Sequence, residues 1–560
     1  MTGFMSKDGA DLRASEPFPV RALLYFHTIR HLRLDQIFGR LRFILYRPRP
    51  NFQVPPPLRA VTGTWVTPCA RRPSMVTEDS FIFLNESRSI AAKAAWNDPS
   101  VEKLWLYNLH YFDDLNAVGA VNRRELHIRL IERWIDENPP GYGNGWEPYP
   151  ISLRIVNWIK WALGGGALSP RAIASLAIQT RFLCKRLEFH LLGNHLLANA
   201  KALIFAGAFF KKEEAQEWLN KGVAILRREL PEQILADGGH FERSPMYHGI
   251  ILEDFFDIEN VAKGYGLEAI IRAEMVAKMR DWLATMCHPD GEIAFFNDAA
   301  FGIAPSLPEL NEYAERLKHP LHKAPCDGVL RLAESGYIRL QKGKAVLLID
   351  AAPIGPSYLP GHAHADTLSF ELSLQGQRVM VNSGTSCYGS GLERRRQRGT
   401  AAHNTLVVDG QDSSEVWGGF RVARRAQVHS LKISETAGGA RVEASHDGYR
   451  RLPGRNLHRR SWLLNDGSLV IEDEVTGEFV LAELRFHLHP EITVLDAIAG
   501  KVSLRLPDGK MVEVVIEGAN LFVEKTTWQP YFGVATPNTC LVAMLTDPRA
   551  RTIINWGEKD

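Results

Sequence analysis

Cysteine is scarce in this chain. Its 560 residues include six, Cys69, Cys184, Cys287, Cys326, Cys387 and Cys540, scattered and without a CxxC pair. Such spacing excludes a disulfide framework and a zinc–thiolate site, and leaves free thiols used for packing. An excess of either charge is also missing: 66 Lys and Arg against 64 Asp and Glu leave a net charge of +2. That gives no global attraction to nucleic acid, although local patches can still steer an acidic polymer. The arginines between positions 394 and 398, and between 421 and 425, are candidates for such a patch or for solvated polar faces. No uninterrupted apolar run approaches ~18 residues, so no transmembrane helix is expected. Met1 to Pro17 lacks the basic and apolar regions of a signal peptide, which by itself reads as cytoplasmic. Val20 to Leu45 is amphipathic and arginine-rich. It reads as a helix packed on its own domain, with contact to a membrane surface as the alternative.

What is present is the composition of a soluble globular protein, 45% hydrophobic and 23% charged. The length exceeds one ordinary core, so two or more domains are expected. From about Arg21 to Leu317 apolar residues recur at helical spacing, as in Leu126-Ile128-Leu130-Ile131-Trp134. Frequent Gly and Pro punctuation divides this stretch into short helices, suggesting stacked helical hairpins. Near residue 325 the period changes to alternation, with strand-like runs at Ala345–Ile349, Arg378–Val381 and Thr405–Val408. Asn465-Asp466-Gly467 between two apolar runs is a hairpin signal, because Asp-Gly tolerates positive φ. Many short strands joined by turns imply an antiparallel sandwich. The expected division is therefore a helical domain at 1–325 and a β-sandwich at 326–560, an α+β multidomain chain.

The most informative stretch is Gly361-His362-Ala363-His364-Ala365-Asp366, ahead of an alternating run. On an extended backbone residues i and i+2 face the same way, so two imidazoles stand side by side. Imidazole titrates near neutral pH and is the commonest metal ligand. Val381-Asn382-Ser383-Gly384-Thr385 and Ala402-His403-Asn404-Thr405 offer a third histidine and a side-chain oxygen nearby. Upstream lie Gly193-Asn194-His195-Leu196 and Glu242-Arg243-Ser244-Pro245-Met246-Tyr247-His248.

In this order and spacing the five motifs resemble the heparinase II/III-like family of polysaccharide lyases, over roughly residues 20 to 480. Tyr25-Phe26-His27-Thr28-Ile29-Arg30 and Trp146-Glu147-Pro148-Tyr149 resemble members encoded with exopolysaccharide-assembly genes. The resemblance implies an incomplete α/α toroid followed by an antiparallel β-sandwich, with the active site between them. It implies β-elimination on a uronic-acid-containing polysaccharide, with an acidic polymer as partner and no nucleic acid. Asn194 and His195 match the pair that holds the substrate carboxylate, Tyr247 the catalytic tyrosine, and His362 the catalytic or carboxylate-binding histidine. A phenol is a natural acid for the leaving oxygen and an imidazole a natural base. Trp146, Tyr149, Glu242, Tyr388 and Arg398 are further substrate-binding candidates. His364 and His403 match metal positions, usually zinc. Where the family has Asp before Ser-Gly-Thr this chain has Asn382, a weaker ligand for zinc or another divalent ion. Asp366 reads as fixing a histidine or a loop. The family often works in the periplasm, against the cytoplasmic reading of the N-terminus. Rival readings are C5 epimerisation, hydrolysis by paired carboxylates among Asp113, Asp237 and Glu242, and glycan binding without catalysis.

Overall fold

Serine caps and early prolines start several helices of the first half. Ser169 and Ser244 accept hydrogen bonds from the backbone N–H groups of Ala172 and Tyr247, opening the helices Pro170–Lys185 and Pro245–Gly264. Ser306 forms a capping box with Glu309 before the helix Leu307–Arg316. Each device satisfies amide donors that the first helical turn leaves unpaired. A computed structural model describes residues 18–436, 438–498 and 500–557.

The helix Gly193–Phe209 is buried on nearly every side and therefore lies innermost. It packs on the helices Pro148–Leu163, Glu213–Gln233 and Pro245–Gly264. Two glycines set its closest approach. A Cβ at Gly207 would stand 2.5 Å from the Leu219 nitrogen, and one at Gly222 2.8 Å from the Ala200 oxygen. With the outer helices this forms an incomplete α/α toroid.

From Gly328 onward the chain is mainly antiparallel sheet. An eight-stranded sheet, a four-stranded sheet and a five-stranded sheet share one apolar core. The expected hairpin joins Leu457–Asn465 to Ser468–Thr476, with Asn465 opposite Ser468 and Gly467 at φ 76°. Val381, Trp528 and Phe532 of the sheet half reach into the core of the helical half.

Two local features depart from the sequence reading. Met75–Thr77, Ser80–Phe83 and Glu86–Ser89 form a small sheet within the span read as helical. Its strands are shorter than the windows from which periodicity is read, and Phe83 packs edge-on against Trp105 at 5.2 Å. The arginine run contains a helix, Leu392–Arg398, in which Arg394 and Arg398 are buried rather than solvated. Among the described residues no helix is long and apolar enough to cross a membrane.

Candidate active site

The site begins with a strained turn. Leu192 and Gly193 both have positive φ, 61° and 54°, and the helix starts at Gly193. A Cβ on Gly193 would stand 2.4 Å from Glu242 Oε1 and 2.5 Å from Leu359 Cδ2, so only glycine fits. The turn places Asn194 and His195 at the helix start, where adjacent residues can both reach one ligand. The Asn194 amide donates to Glu242 at 3.0 Å and lies 3.5 Å from His362 Nε2. His195 Nδ1 lies 3.1 Å from Glu188 Oε1, and its ring packs on Tyr149 at 4.5 Å between centroids. Burial alone would raise the Glu188 carboxyl. The charge and hydrogen bond of His195, with His190 and Asn199, bring it below its ordinary value.

Opposite stands the histidine loop. Both histidines converge on Asp298, His362 Nδ1 at 2.8 Å from one carboxylate oxygen and His364 Nε2 at 2.8 Å from the other. Arg394 grips the same carboxylate with both terminal nitrogens, one at 2.7 Å. Burial works to raise the Asp298 carboxyl, yet Arg394 and the two histidine bonds hold it well below its usual range. An ionised carboxylate only accepts. The proton of His362 therefore sits on Nδ1, and Nε2 faces the cleft. Tyr247 stacks on His362 at 3.8 Å between centroids, and its hydroxyl lies 2.8 Å from that of Tyr388. Burial, then Tyr388 and Asp298, push the Tyr247 phenol well above its ordinary value, so it keeps its proton.

These groups line two connected hollows, about 410 and 160 Å³, that share Tyr107, Asn194, His195, Tyr247 and Tyr388. Arg71, Arg72, Lys160 and Lys201 line the larger one. Of the residues singled out in the sequence, Asn194, His195, Tyr149, Glu242, Tyr247, His362 and Tyr388 meet here.

Two do not. Trp146 is buried, stacked on Trp134 at 6.0 Å, with its indole N–H donated to the Asn138 carbonyl. Arg398 is buried and donates to the carbonyls of Ala363, Gly418 and Arg421. It braces the residue between the two histidines and cannot reach a ligand. Asp298, Glu188 and Arg394 had no motif to announce them. The only signal was the general need of a working histidine for a partner on its second nitrogen.

The metal trio also differs from expectation. His364, Asp366 and His403 place their ligand atoms within 4.8 Å of one another. Asn382 is not part of this trio. Its amide donates to the Phe295 carbonyl at 3.0 Å and its oxygen accepts from the Asn404 N–H at 3.0 Å. The remaining atoms fit a cation. Burial lowers His364 to about 4 and lowers His403, so both are neutral. His364 carries its proton on Nε2, toward Asp298, and His403 on Nδ1, toward the Gly399 carbonyl at 2.9 Å. The two bare nitrogens then face each other at 3.1 Å. Two lone pairs with no shared proton, beside a carboxylate, are a donor set a divalent ion would satisfy.

A helical toroid and an antiparallel β-sandwich enclosing a cleft of tyrosine, histidine and asparagine define one class of two-part protein. The chain belongs to the heparinase II/III-like family: residues 170–317 match the heparinase II/III N-terminus and residues 327–557 the heparinase II/III-like C-terminal region. It is 29% identical over 371 residues to a heparin-sulfate lyase of Bacteroides stercoris, an alignment covering 59% of this chain and 52% of that protein. The chain thus spans about half the length of the curated heparin-sulfate lyases it matches. It is 25% identical over 442 residues to FtsZ-localized protein C of Caulobacter vibrioides, covering 72% of each. The crystal structure of heparinase III shares its fold with a TM-score of 0.66 at 20% identity, over 94% of this chain and 86% of that one.

Proposed function

We propose that this chain is a lyase that cleaves a uronic-acid-containing polysaccharide by β-elimination. The observation that carries this reading is the convergence of a protonated Tyr247, the His362 Nε2 beside Asn194 and Glu242, and the Asn194–His195 pair on one cleft. β-Elimination removes the proton at C5 beside the sugar carboxylate and expels the oxygen at C4. His362 Nε2 takes the C5 proton as base, its ring held by Asp298. Tyr247 gives its proton to the departing oxygen, because its environment favours the neutral phenol. Asn194 and His195 lie where the carboxylate would rest as it gains charge. Of the cations that line the larger hollow, Arg71, Lys160 and Lys201 are paired with Glu253, Asp254 and Asp257, and Arg72 is the one placed to meet an acidic polymer. Hydrolysis is less well served: Asp113 accepts from Asn157, Asp237 from the backbone at Glu334 and Ser335, and Glu242 from Asn194.

Incubation with uronic-acid polymers should yield unsaturated, ultraviolet-absorbing products. Cleavage without absorbance would mean hydrolysis, and binding without cleavage a glycan-binding role. Asn194→Ala and His195→Ala should each lower kcat while changing KM little, since the carboxylate gains charge density in the transition state. A rise in KM with unchanged kcat would remove them from transition-state stabilisation.

His364, Asp366 and His403 would hold the divalent ion, zinc being favoured by two imidazoles and a carboxylate. Its chemistry there would be to cross-link the histidine loop to the segment of His403 beside the site. His403→Ala should abolish metal binding and lower Tm, because a ligand of the native state stabilises it by mass action. Asn382→Asp should bring no gain in affinity, since it loses the donor to Phe295. Elemental analysis and Tm with added zinc check both; metal-free protein with an unmoved Tm would leave the trio a hydrogen-bonded cluster.

A further inference from the structure

Of the first two described helices, Phe18–Ile29 buries Leu24 against Trp417 and Ala423 but exposes Val20, Leu23, Phe26 and Ile29, and Leu34–Leu45 is built inside out. Thirteen large apolar side chains between Val20 and Tyr46 are exposed. In the second helix the apolar residues Leu34, Ile37, Phe38, Leu41, Ile44 and Leu45 fall within an arc of about 120° at 100° per residue. That arc faces solvent: Leu34, Phe38, Ile44 and Leu45 are 71%, 65%, 60% and 82% exposed. The opposite, more polar side faces the protein. Gln36 is buried and donates to the Tyr358 carbonyl, and Gly39 lies against the backbone at Phe189 and His190. A helix at rest on its own domain would turn its apolar stripe inward. This one turns it outward, and an exposed apolar surface of this kind marks a binding face.

The charge around the stripe selects the occupant. Residues 18–50 contain seven arginines, of which Arg33 pairs with Glu232 of another helix, and a single acidic residue, Asp35. Arg42 lies beside the stripe, and Arg47 and Arg49 follow the helix. An apolar stripe edged by arginine matches an interface in which acyl chains meet anionic headgroups. A protein partner would gain nothing from so one-sided a charge unless it were itself acidic.

We propose that this helix pair docks the protein on an anionic lipid bilayer, lying in the headgroup plane without crossing it. Among the described residues neither helix has the length to span a bilayer, each having 12 residues. The docked face adjoins the cleft. Arg40, Phe43 and Ile44 line its narrower hollow with His195 and His362, so docking holds that end of the site at the membrane surface. The proposal does not depend on the lyase reading.

The test uses the full chain and sedimentation with vesicles of phosphatidylcholine, with or without phosphatidylglycerol. Binding should need phosphatidylglycerol and weaken as salt rises. The double variant Ile37→Glu, Leu41→Glu should lose binding roughly tenfold or more with Tm and polymer cleavage unchanged, because both side chains are exposed. Absence of binding to phosphatidylglycerol vesicles, or equal binding by the variant, overturns the proposal. So does a dimer that the variant dissolves without any vesicle binding, which would assign the face to a second copy of this chain.

Discussion

Tyr247→Phe should lower turnover on the true substrate by ~10²-fold or more while leaving Tm nearly unchanged. The substitution removes one hydroxyl. That hydroxyl meets Tyr388 at 2.8 Å, so folding loses one hydrogen bond that water can replace within the cleft, worth about 1 kcal/mol. The ring keeps its place on His362 at 3.8 Å. In the proposed elimination, chemistry loses the proton donor to the leaving oxygen. The asymmetry between a small stability effect and a large kinetic one separates proton transfer from scaffolding. Burial raises this phenol, so activity should persist at alkaline pH where an ordinary tyrosine would already have ionised. Near-normal turnover by the phenylalanine variant would place the acid elsewhere.

Asp298→Asn should be worse in two ways. The amide presents an N–H where the carboxylate accepted, so it opposes the His362 tautomer that leaves Nε2 open. The comparable change in serine proteases costs ~10⁴-fold in turnover, and a loss of ~10²-fold or more is expected here. The same change strips the buried Arg394 of its carboxylate partner, and a buried charge left without its partner costs ~3–5 kcal/mol. Wild-type Asp298 has its carboxyl held well below the unfolded value near 3.9. It therefore stabilises the fold above about pH 4 and loses that contribution as pH falls through its folded value. The variant should show a lower Tm at neutral pH and a flatter acid limb. Turnover measured well below its Tm isolates the tautomer effect. Wild-type turnover there would show that Asp298 serves the fold alone.

Much of this molecule was legible in one dimension. The change from helical period to alternation near residue 325 marks where helices give way to strands, because each period is a local consequence of burying one face. The Asp466-Gly467 hairpin was readable because turn geometry depends on two residues. Gly193-Asn194-His195, Tyr247 and the two histidines at 362 and 364 were readable as short motifs of fixed residue types, and Asn194, His195, Tyr247 and His362 line the cleft.

Tertiary structure alone decided the rest. Asp298 is 64 residues from His362 in the chain yet 2.8 Å from it in space, and nothing local distinguishes it from other aspartates. Arg394 and Arg398 read as a charged run, but packing buries one on Asp298 and the other on backbone carbonyls. Asn382 stood at the expected ligand position, while Asp366 carries the carboxylate next to His364 and His403. Helical spacing between Val20 and Leu45 showed an apolar stripe but not its direction, which depends on where Gln36 and Gly39 meet the body. Periodicity and motif follow from neighbours along the chain; which partner a charge finds and which way a face turns follow from contacts between distant segments.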